Sequence, residues 1–348
     1  MTIGWSFPDF DDHEGVHLFA DPKSGLRAVI AIHSTELGPA AGGVRFWHYA
    51  QEQDAITDAL RLSRGMSFKN AMAGLPMGGG KGVILASGDG AKTNALLEAF
   101  GRAIHSLSGN YVTAEDVGMT DDDMVTIASA TEYVSGLPVE QGKAGGDPGP
   151  YTALGVYLGV KAAAQRALGT TDMKGVRVAI QGVGSVGGGL ARLLAVDGAV
   201  LTLADVNAAR AEALAGELGA TTAAADAVLA ADADIVSPNA LGAILTERTI
   251  GALRAKVVAG GANNQLAGPE DGRRLHERGI LYAPDYVINA GGIINVGLEY
   301  LGQGDEAEVK TRIARIPDRL VEVWDESERT GLPTAEVADG IARRLIGR

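Results

Sequence analysis

The run Arg177-Val178-Ala179-Ile180-Gln181 has strand character, leads straight into Gly182-Val183-Gly184-Ser185-Val186-Gly187, and gives way to a helical pattern over Ser185–Val196. A strand, a G-x-G-x-x-G turn and a helix in immediate succession leave few folds open. The first glycine permits a tight turn, the second lets the backbone approach a pyrophosphate, and the third allows close helix–strand packing. The helix N-terminus then attracts phosphate charge. The next strand, Val200–Ala204, ends in Asp205, twenty-three residues after Gly182. A carboxylate there can accept hydrogen bonds from both adenosine ribose hydroxyls and repel a 2′-phosphate. No arginine follows at once, Arg210 being a helical turn further on, so the pattern favours NAD over NADP. Alternation continues with a helix at Ala208–Leu218 and strands at Ile235–Val236, Lys256–Ala259 and Ile280–Ala283. That rhythm implies a parallel sheet covered on both faces. Ala259-Gly260-Gly261-Ala262-Asn263-Asn264 and Pro284-Asp285-Tyr286-Val287-Ile288-Asn289-Ala290-Gly291-Gly292 each follow a strand. Ligands bind at such carboxyl ends. Asparagines there can orient a carboxamide or an amine, while an Asx turn is the plainer reading, above all for Asn264.

The first half reads as mixed α and β. Val16–Ala20 and Leu26–His33 are strand-like around the turn Asp21-Pro22-Lys23-Ser24-Gly25, with further short strands at Val83–Leu85 and Tyr111–Thr113. Helical spacing covers Asp54–Gly65, Ala91–Leu107 and Thr120–Ala130. Asp121, Asp122 and Asp123 after Thr120 suit a capped helix start better than a metal site. Gly142–Pro150 is too rich in glycine and proline for a helix or central strand and is the expected hinge, with Thr152 as an N-cap beyond it. The last forty residues look helical, with Thr334 another N-cap candidate. The fold class is therefore α/β, with a mixed N-terminal domain and a Rossmann-type NAD-binding domain.

Lys81 closes Pro76-Met77-Gly78-Gly79-Gly80-Lys81, twelve residues after Lys69 in Ser67-Phe68-Lys69-Asn70. Three glycines let backbone lie directly against a small ligand. A lysine delivered there, with a second ammonium nearby, can lose its proton near neutral pH and act as a base. The second, still charged, can hold a carboxylate. Together they suit chemistry at the α-carbon of an amino acid. The plain alternative is an exposed lysine at a strand end.

Composition narrows the partners. The 348 residues carry 30 Lys and Arg against 43 Asp and Glu, a net charge of −13, which argues against nucleic acid and anionic membrane surfaces. There is no cysteine, hence no disulfide or thiolate metal site, and no tight His/carboxylate cluster, so no metal is expected. The first thirty residues lack an apolar signal core and no run reaches transmembrane length, which makes a cytoplasmic protein the expectation.

These motifs in this order resemble the glutamate/leucine/phenylalanine/valine dehydrogenases. The likeness covers nearly the whole chain and rests on Gly38-Pro39-Ala40-Ala41-Gly42-Gly43-Val44-Arg45, the Lys69 and Lys81 motifs, and Thr113-Ala114-Glu115-Asp116-Val117-Gly118. The nucleotide fingerprint, Gly261-Ala262-Asn263-Asn264-Gln265 and Asn289-Ala290-Gly291-Gly292 complete it. It implies a substrate and oligomerisation domain from residues 1–140 and about 328–348, an NAD-binding domain from 141–327, and a cleft between them. It also implies a homo-oligomer. By the same resemblance Lys81 is the base, Asp116 relays protons to and from the amino group, and Lys69 binds the α-carboxylate. Gly42 and Gly43 form a backbone wall beside the substrate. Ala41, Met66, Ala114, Ile293 and Val296 bear on the substrate side chain, and Asn263 and Asn289 hold the substrate and the nicotinamide ribose. Thr152, Gly182, Gly184, Ser185, Val186, Gly187, Asp205 and Ala240 complete the NAD contacts.

Ala41 also bears on specificity. Glutamate-specific relatives resemble G-P-Y-K-G-G here, with the lysine pairing a side-chain carboxylate; alanine cannot, and burying that charge unpaired is costly. Branched aliphatic substrates are favoured, with phenylalanine the alternative because alanine widens the pocket. A non-catalytic NAD-binding regulator would not need Lys69, Lys81 and Asp116 together.

Overall fold

The computed structural model describes residues 4–7, 9–86, 88, 91–137 and 143–348. The chain divides into two compact units. The first holds Met1–Asp147, Asn295–Glu306 and Ala342–Arg348; the second holds Pro148–Ile294 and Ala307–Ile341.

In the first unit β1 (Gly15–Asp21) and β2 (Leu26–Ser34) form the expected hairpin. They are followed by β3 (Ala40–Ala41), β4 (Val44–Trp47), α1 (Glu52–Met72), β5 (Gly78–Leu85), α2 (Asn94–His105), β6 (Tyr111–Val112) and α3 (Asp121–Ala128). The sheet runs β1-β2-β5-β3-β6, and β4 also pairs with β5 beyond the end of β3. One face packs Ile30, Ile84, Phe100, Ile104, Tyr111 and Ile127 into a core. The other packs Val29, Ala31 and Val83 against Ala55, Ala59 and Leu60 of α1. Thr120 caps α3 in a capping box with Asp123, so the acidic run is a helix start.

Two differences from the sequence reading matter here. Helix α1 continues to Met72, well past Gly65, and so carries Met66 and Lys69. Its last turns bury Ser63, Ser67 and Asn70 besides Phe68, Ala71 and Met72; Ser63 meets His13, while Ser67 and Asn70 pack on a strand of glycines. That strand is the second difference: Gly78, Gly79 and Gly80 lie inside β5 and do not form an open loop. A Cβ on Gly79 would stand 2.0 Å from Ser67 N, and one on Gly80 would stand 2.6 Å from Tyr111 Cδ2. Protein fills the space these glycines leave. Their absent side chains let α1 and Tyr111 approach the strand, which is a packing role and not the ligand contact expected of them.

The second unit opens with α4 (Gly149–Leu168), then β7 (Arg177–Gln181), α5 (Ser185–Val196), β8 (Val200–Ala204), α6 (Ala208–Leu218) and β9 (Thr221–Thr222). It continues through β10 (Ile235–Pro238), α7 (Glu247–Ala252), β11 (Val257–Val258), α8 (Pro269–Glu277), β12 (Leu281–Tyr282) and α9 (Asp285–Ile288). Next come α10 (Gly291–Tyr300), α11 (Glu306–Ile313), α12 (Ile316–Thr330) and α13 (Thr334–Leu345). All six strands are parallel, in the order β12-β11-β10-β7-β8-β9. This order reverses beside β7, and dinucleotides bind at such a switch point.

Three local expectations are corrected. Pro150 sits in the first turn of α4, where a proline lacks nothing the helix needs, so the hinge segment turns helical at Gly149. Thr152 is therefore inside the helix, and its hydroxyl donates to Pro148 O at 2.9 Å. Thr334 begins α13 and donates to Tyr282 O at 3.0 Å. The division of the chain also differs from breaks near 140 and 328: it falls at Asp147/Pro148, within α10, between Glu306 and Ala307, and within α13. Trp324 of α12 is buried with Nε1 donating to Tyr282 O, which ties the late helices to the parallel sheet. No helix among the described residues is long and apolar enough to cross a membrane.

Candidate active site

Side chains alternate along β5. Gly79, Lys81 and Val83 share the face that meets α1. Lys81 is thus carried into the layer between sheet and helix, where only 5% of its surface is exposed. Its Nζ donates to Asp116 Oδ2 at 2.8 Å. The segment bearing Asp116 is held by Val44 N donating to Ala114 O at 2.8 Å and by a left-handed Gly118. Burial pushes the Lys81 ammonium below the usual lysine range, against the pull of Asp116 and its hydrogen bond. Burial alone would raise the Asp116 carboxyl, but Lys81 and then Arg45 outweigh it and hold it below the usual carboxylate range. The pair is a carboxylate beside a buried amine of lowered basicity.

Lys69 lies half-buried in the last turn of α1. The neighbouring Asn70 Nδ2 donates to Gly78 O at 2.6 Å and pins that turn to β5. Ala41 is buried in β3 between Gly79 and Val112. A Cβ on Gly42 would lie 1.8 Å from Gly80 O and 3.1 Å from Met66 Cγ, and one on Gly43 would lie 2.7 Å from Glu115 O. These glycines let three backbone segments converge, and Tyr111 OH donates to Gly42 O at 2.7 Å within the same knot. Ala114 is half-buried next to Glu115 in the chain; Ile293 and Val296 on α10 are half-buried too, Ile293 counted with the second unit and Val296 with the first.

Sequence reasoning gave no role to a further group. Arg45 of β4 donates through Nε to Asp116 Oδ2 at 3.1 Å and through Nη1 to Asp58 Oδ2 at 2.7 Å. Asp58 of α1 also accepts from Tyr49 OH at 2.6 Å and from Arg61 Nη2 at 2.8 Å. The available signal was spacing: Asp58 precedes Lys69 by eleven residues, three helical turns, so both face the same way.

In the second unit the three fingerprint glycines differ in their surroundings. Gly182 has φ +82°, and a Cβ there would meet Ala240 Cβ at 2.7 Å. A Cβ on Gly187 would meet Gly182 O at 1.9 Å. Around Gly184 nothing lies within 4 Å, so the open space is at the middle glycine, beside the N-terminus of α5 with Ser185 and Val186. Asp205 stands at the end of β8, with Oδ2 accepting from Val183 N and Oδ1 from Asn207 N, both at 2.9 Å. It therefore clamps the glycine turn. Arg210 approaches it at 3.8 Å. Asn289 is buried, and its Nδ2 donates to the exposed Asn263 Oδ1 at 2.7 Å and to Gly261 O at 3.2 Å. Its Oδ1 is buried with no hydrogen-bond partner, a cost that a ligand donor would remove. Thr152 Oγ1 would meet a Cβ on Gly292 at 2.6 Å, so it stands beside the turn after Asn289. Asn264 is left-handed with φ +52°, the turn geometry of its plainer reading. An open glycine at a helix start, a carboxylate at the next strand end and an orphaned amide oxygen fit a dinucleotide.

Comparison with known proteins bears on the chain as a whole. The family model described as Glu/Leu/Phe/Val dehydrogenase, dimerisation domain, matches residues 13–133, and that described as Glutamate/Leucine/Phenylalanine/Valine dehydrogenase matches residues 208–342. The leucine dehydrogenase of Thermoactinomyces intermedius is 47% identical over 96% of this chain and 91% of its own length. The valine dehydrogenase of Streptomyces albus is 45% identical over 97% of this chain and 93% of its own. The crystal structure of L-tryptophan dehydrogenase from Nostoc punctiforme superposes with a TM-score of 0.86 at 41% identity, covering 96% of each chain. With a likeness that runs almost from end to end, this chain belongs to the Glu/Leu/Phe/Val dehydrogenase family of NAD(P)-dependent amino-acid dehydrogenases.

Proposed function

We propose that this enzyme reversibly deaminates branched-chain aliphatic L-amino acids, leucine, valine and isoleucine, to their 2-oxo acids and ammonia, with NAD as the hydride acceptor. The observation that carries the reading is the 2.8 Å contact between a buried lysine of lowered basicity and a carboxylate, beside a glycine knot. Bound NAD would take the hydride from the α-carbon. Lys69 would hold the α-carboxylate. Lys81, neutral, would deprotonate the water that attacks the resulting iminium carbon. Asp116 would carry the proton that lets ammonia leave, and the reverse sequence aminates the 2-oxo acid. Gly42 and Gly43 would present backbone to the substrate, with Ala41, Met66, Ala114, Ile293 and Val296 meeting its side chain. Ala41 leaves nothing to pair a second carboxylate, which speaks against glutamate.

On the cofactor side, Gly182, Gly184, Ser185, Val186 and Gly187 would cradle the pyrophosphate and Asp205 would take the ribose. Thr152, Ala240, Asn263 and Asn289 would lie along the nicotinamide half. Residues 13–133 match a dimerisation domain, which supports a homo-oligomer built through the first unit.

The test is NADH oxidation with ammonia and a panel of 2-oxo acids. The reading expects 4-methyl-2-oxopentanoate and 3-methyl-2-oxobutanoate to lead. Dominant turnover of phenylpyruvate would favour the aromatic alternative. Lys81→Ala should lower kcat by about 10²–10⁴-fold with NADH binding intact; retention of more than a tenth of the rate would remove Lys81 from the base role.

A further inference from the structure

Asp116 Oδ2 is approached by two cations at once, Lys81 Nζ at 2.8 Å and Arg45 Nε at 3.1 Å, which places the two nitrogens under 6 Å apart. Arg45 is in turn gripped by Asp58, a largely buried carboxylate that accepts from Tyr49, Arg45 and Arg61. The charges alternate from Lys81 through Asp116, Arg45 and Asp58 to Arg61, and they come from β5, the 113–118 segment, β4 and α1. A guanidinium can bond two carboxylates in different directions from one rigid plane; an ammonium cannot do so with the same geometry.

We propose that Arg45 is a positioning residue for the Lys81–Asp116 pair, and that Asp58 holds Arg45 in place and offsets its charge. The inference rests on the roles given above to Lys81 and Asp116. Arg45 orients the Asp116 carboxylate by occupying the same oxygen as Lys81. Its positive charge also opposes protonation of Lys81, while the negative charge of Asp58 favours it. The other charged groups are arranged around this core. Glu115 faces Asp121 and Asp123 at the start of α3. Arg61 is half exposed on the far side of Asp58, and Lys69 lies three turns along α1 from it. Tyr49 and Tyr111 stay neutral, burial pushing both phenols well up.

The roles predict opposite signs. Arg45→Met removes a neighbouring cation, so the acid limb of kcat/KM against pH, where the base becomes protonated, should move to higher pH by about 1–2 units. Asp58→Asn removes the offsetting anion while keeping the size of the side chain, so the same limb should move to lower pH. Arg45→Lys keeps the charge but loses the two-way grip; its limb should stay near wild type while kcat falls. The experiment measures kcat/KM for leucine across pH in wild type and the three variants, with thermal melts to check folding and Lys81→Ala in parallel. If Arg45→Met does not fold, the Asp58→Asn and Arg45→Lys profiles decide between the readings. Limbs that stay in place in every variant, with rates lowered equally at all pH, would show the network to be structural only and overturn the proposal. An active Lys81→Ala that keeps the wild-type limb would instead defeat the base assignment on which the proposal stands.

Discussion

The unequal surroundings of Gly184 and Gly187 make a sharp test of where the dinucleotide lies. Gly184 has φ −70°, outside the left-handed region that favours glycine, and its added Cβ meets nothing within 4 Å. Gly184→Ala should therefore fold normally. A gain of about 0.4–1 kcal/mol from the stiffer unfolded chain is offset by a comparable loss of capping preference. If the empty space is where a pyrophosphate approaches the helix, a methyl there should weaken NADH binding by about 10-fold or more, the effect of one misplaced carbon in a close-fitting site. Gly187→Ala should do the reverse. Its Cβ would sit 1.9 Å from Gly182 O, a backbone atom fixed by the turn, and 3.0 Å from Asn239 Cβ. Overpacking of this kind costs about 1–3 kcal/mol, and a contact this short belongs at the upper end. For a domain of this size that is a fall of roughly 4–10 °C in Tm. Both quantities come from one experiment, a thermal melt with and without a titration of NADH. Should Gly184→Ala bind NADH within twofold of wild type, the pyrophosphate does not lie over the middle glycine. A Gly187→Ala protein that melts with wild type would show that the third glycine is not a packing position.

Asp205 both clamps the glycine turn and carries the charge, and Asp205→Asn keeps only one of the two acceptor oxygens: activity with NADP should rise relative to NAD while Tm falls through the loss of one backbone hydrogen bond, and an unchanged ratio would remove the charge from cofactor choice. Ala41→Leu should keep or improve kcat/KM for valine and leucine and lower it for phenylalanine by about 1–3 kcal/mol; an equal factor for all three would show that Ala41 does not line the side-chain pocket. His33 is wholly buried, and burial first, then His13 and Arg348, push its pKa down from 6.5 to about 3. A depressed histidine contributes stability that is fully present above its unfolded value and is lost as pH falls towards the folded one, at about 1.4 kcal/mol per unit of depression. Urea midpoints should therefore decline between pH 6.5 and about 3, and His33→Asn should flatten that slope; parallel slopes would refute the assignment.

What could be read from the chain alone is what short segments decide for themselves. β7, α5, β8 and α6 begin and end where the sequence reading placed them, because strand propensity, a glycine turn and a helix start are local facts. The Thr120 capping box is equally local. The order of the motifs carried the family, since spacing along the chain needs no coordinates. Tertiary structure decided everything that depends on what lies opposite. The glycines of β5 read as a ligand loop until Ser67 and Tyr111 are seen to occupy their missing side chains. Helix α1 runs on past Gly65 because Ser67 and Asn70 find the glycine strand opposite them. β3 and β4 are two and four residues long and exist because β5 offers them a ladder. Thr334 carries the residue type of a cap, but its hydroxyl found the carbonyl of Tyr282 inside the fold. Lys81 and Asp116 could each be picked from a motif, yet the depressed basicity of the lysine is a consequence of burial, and burial is a property of the packed unit. Arg45 and Asp58, thirteen residues apart in sequence, join that pair only because a strand brings Arg45 to the Asp116 carboxylate and a helix brings Asp58 to Arg45.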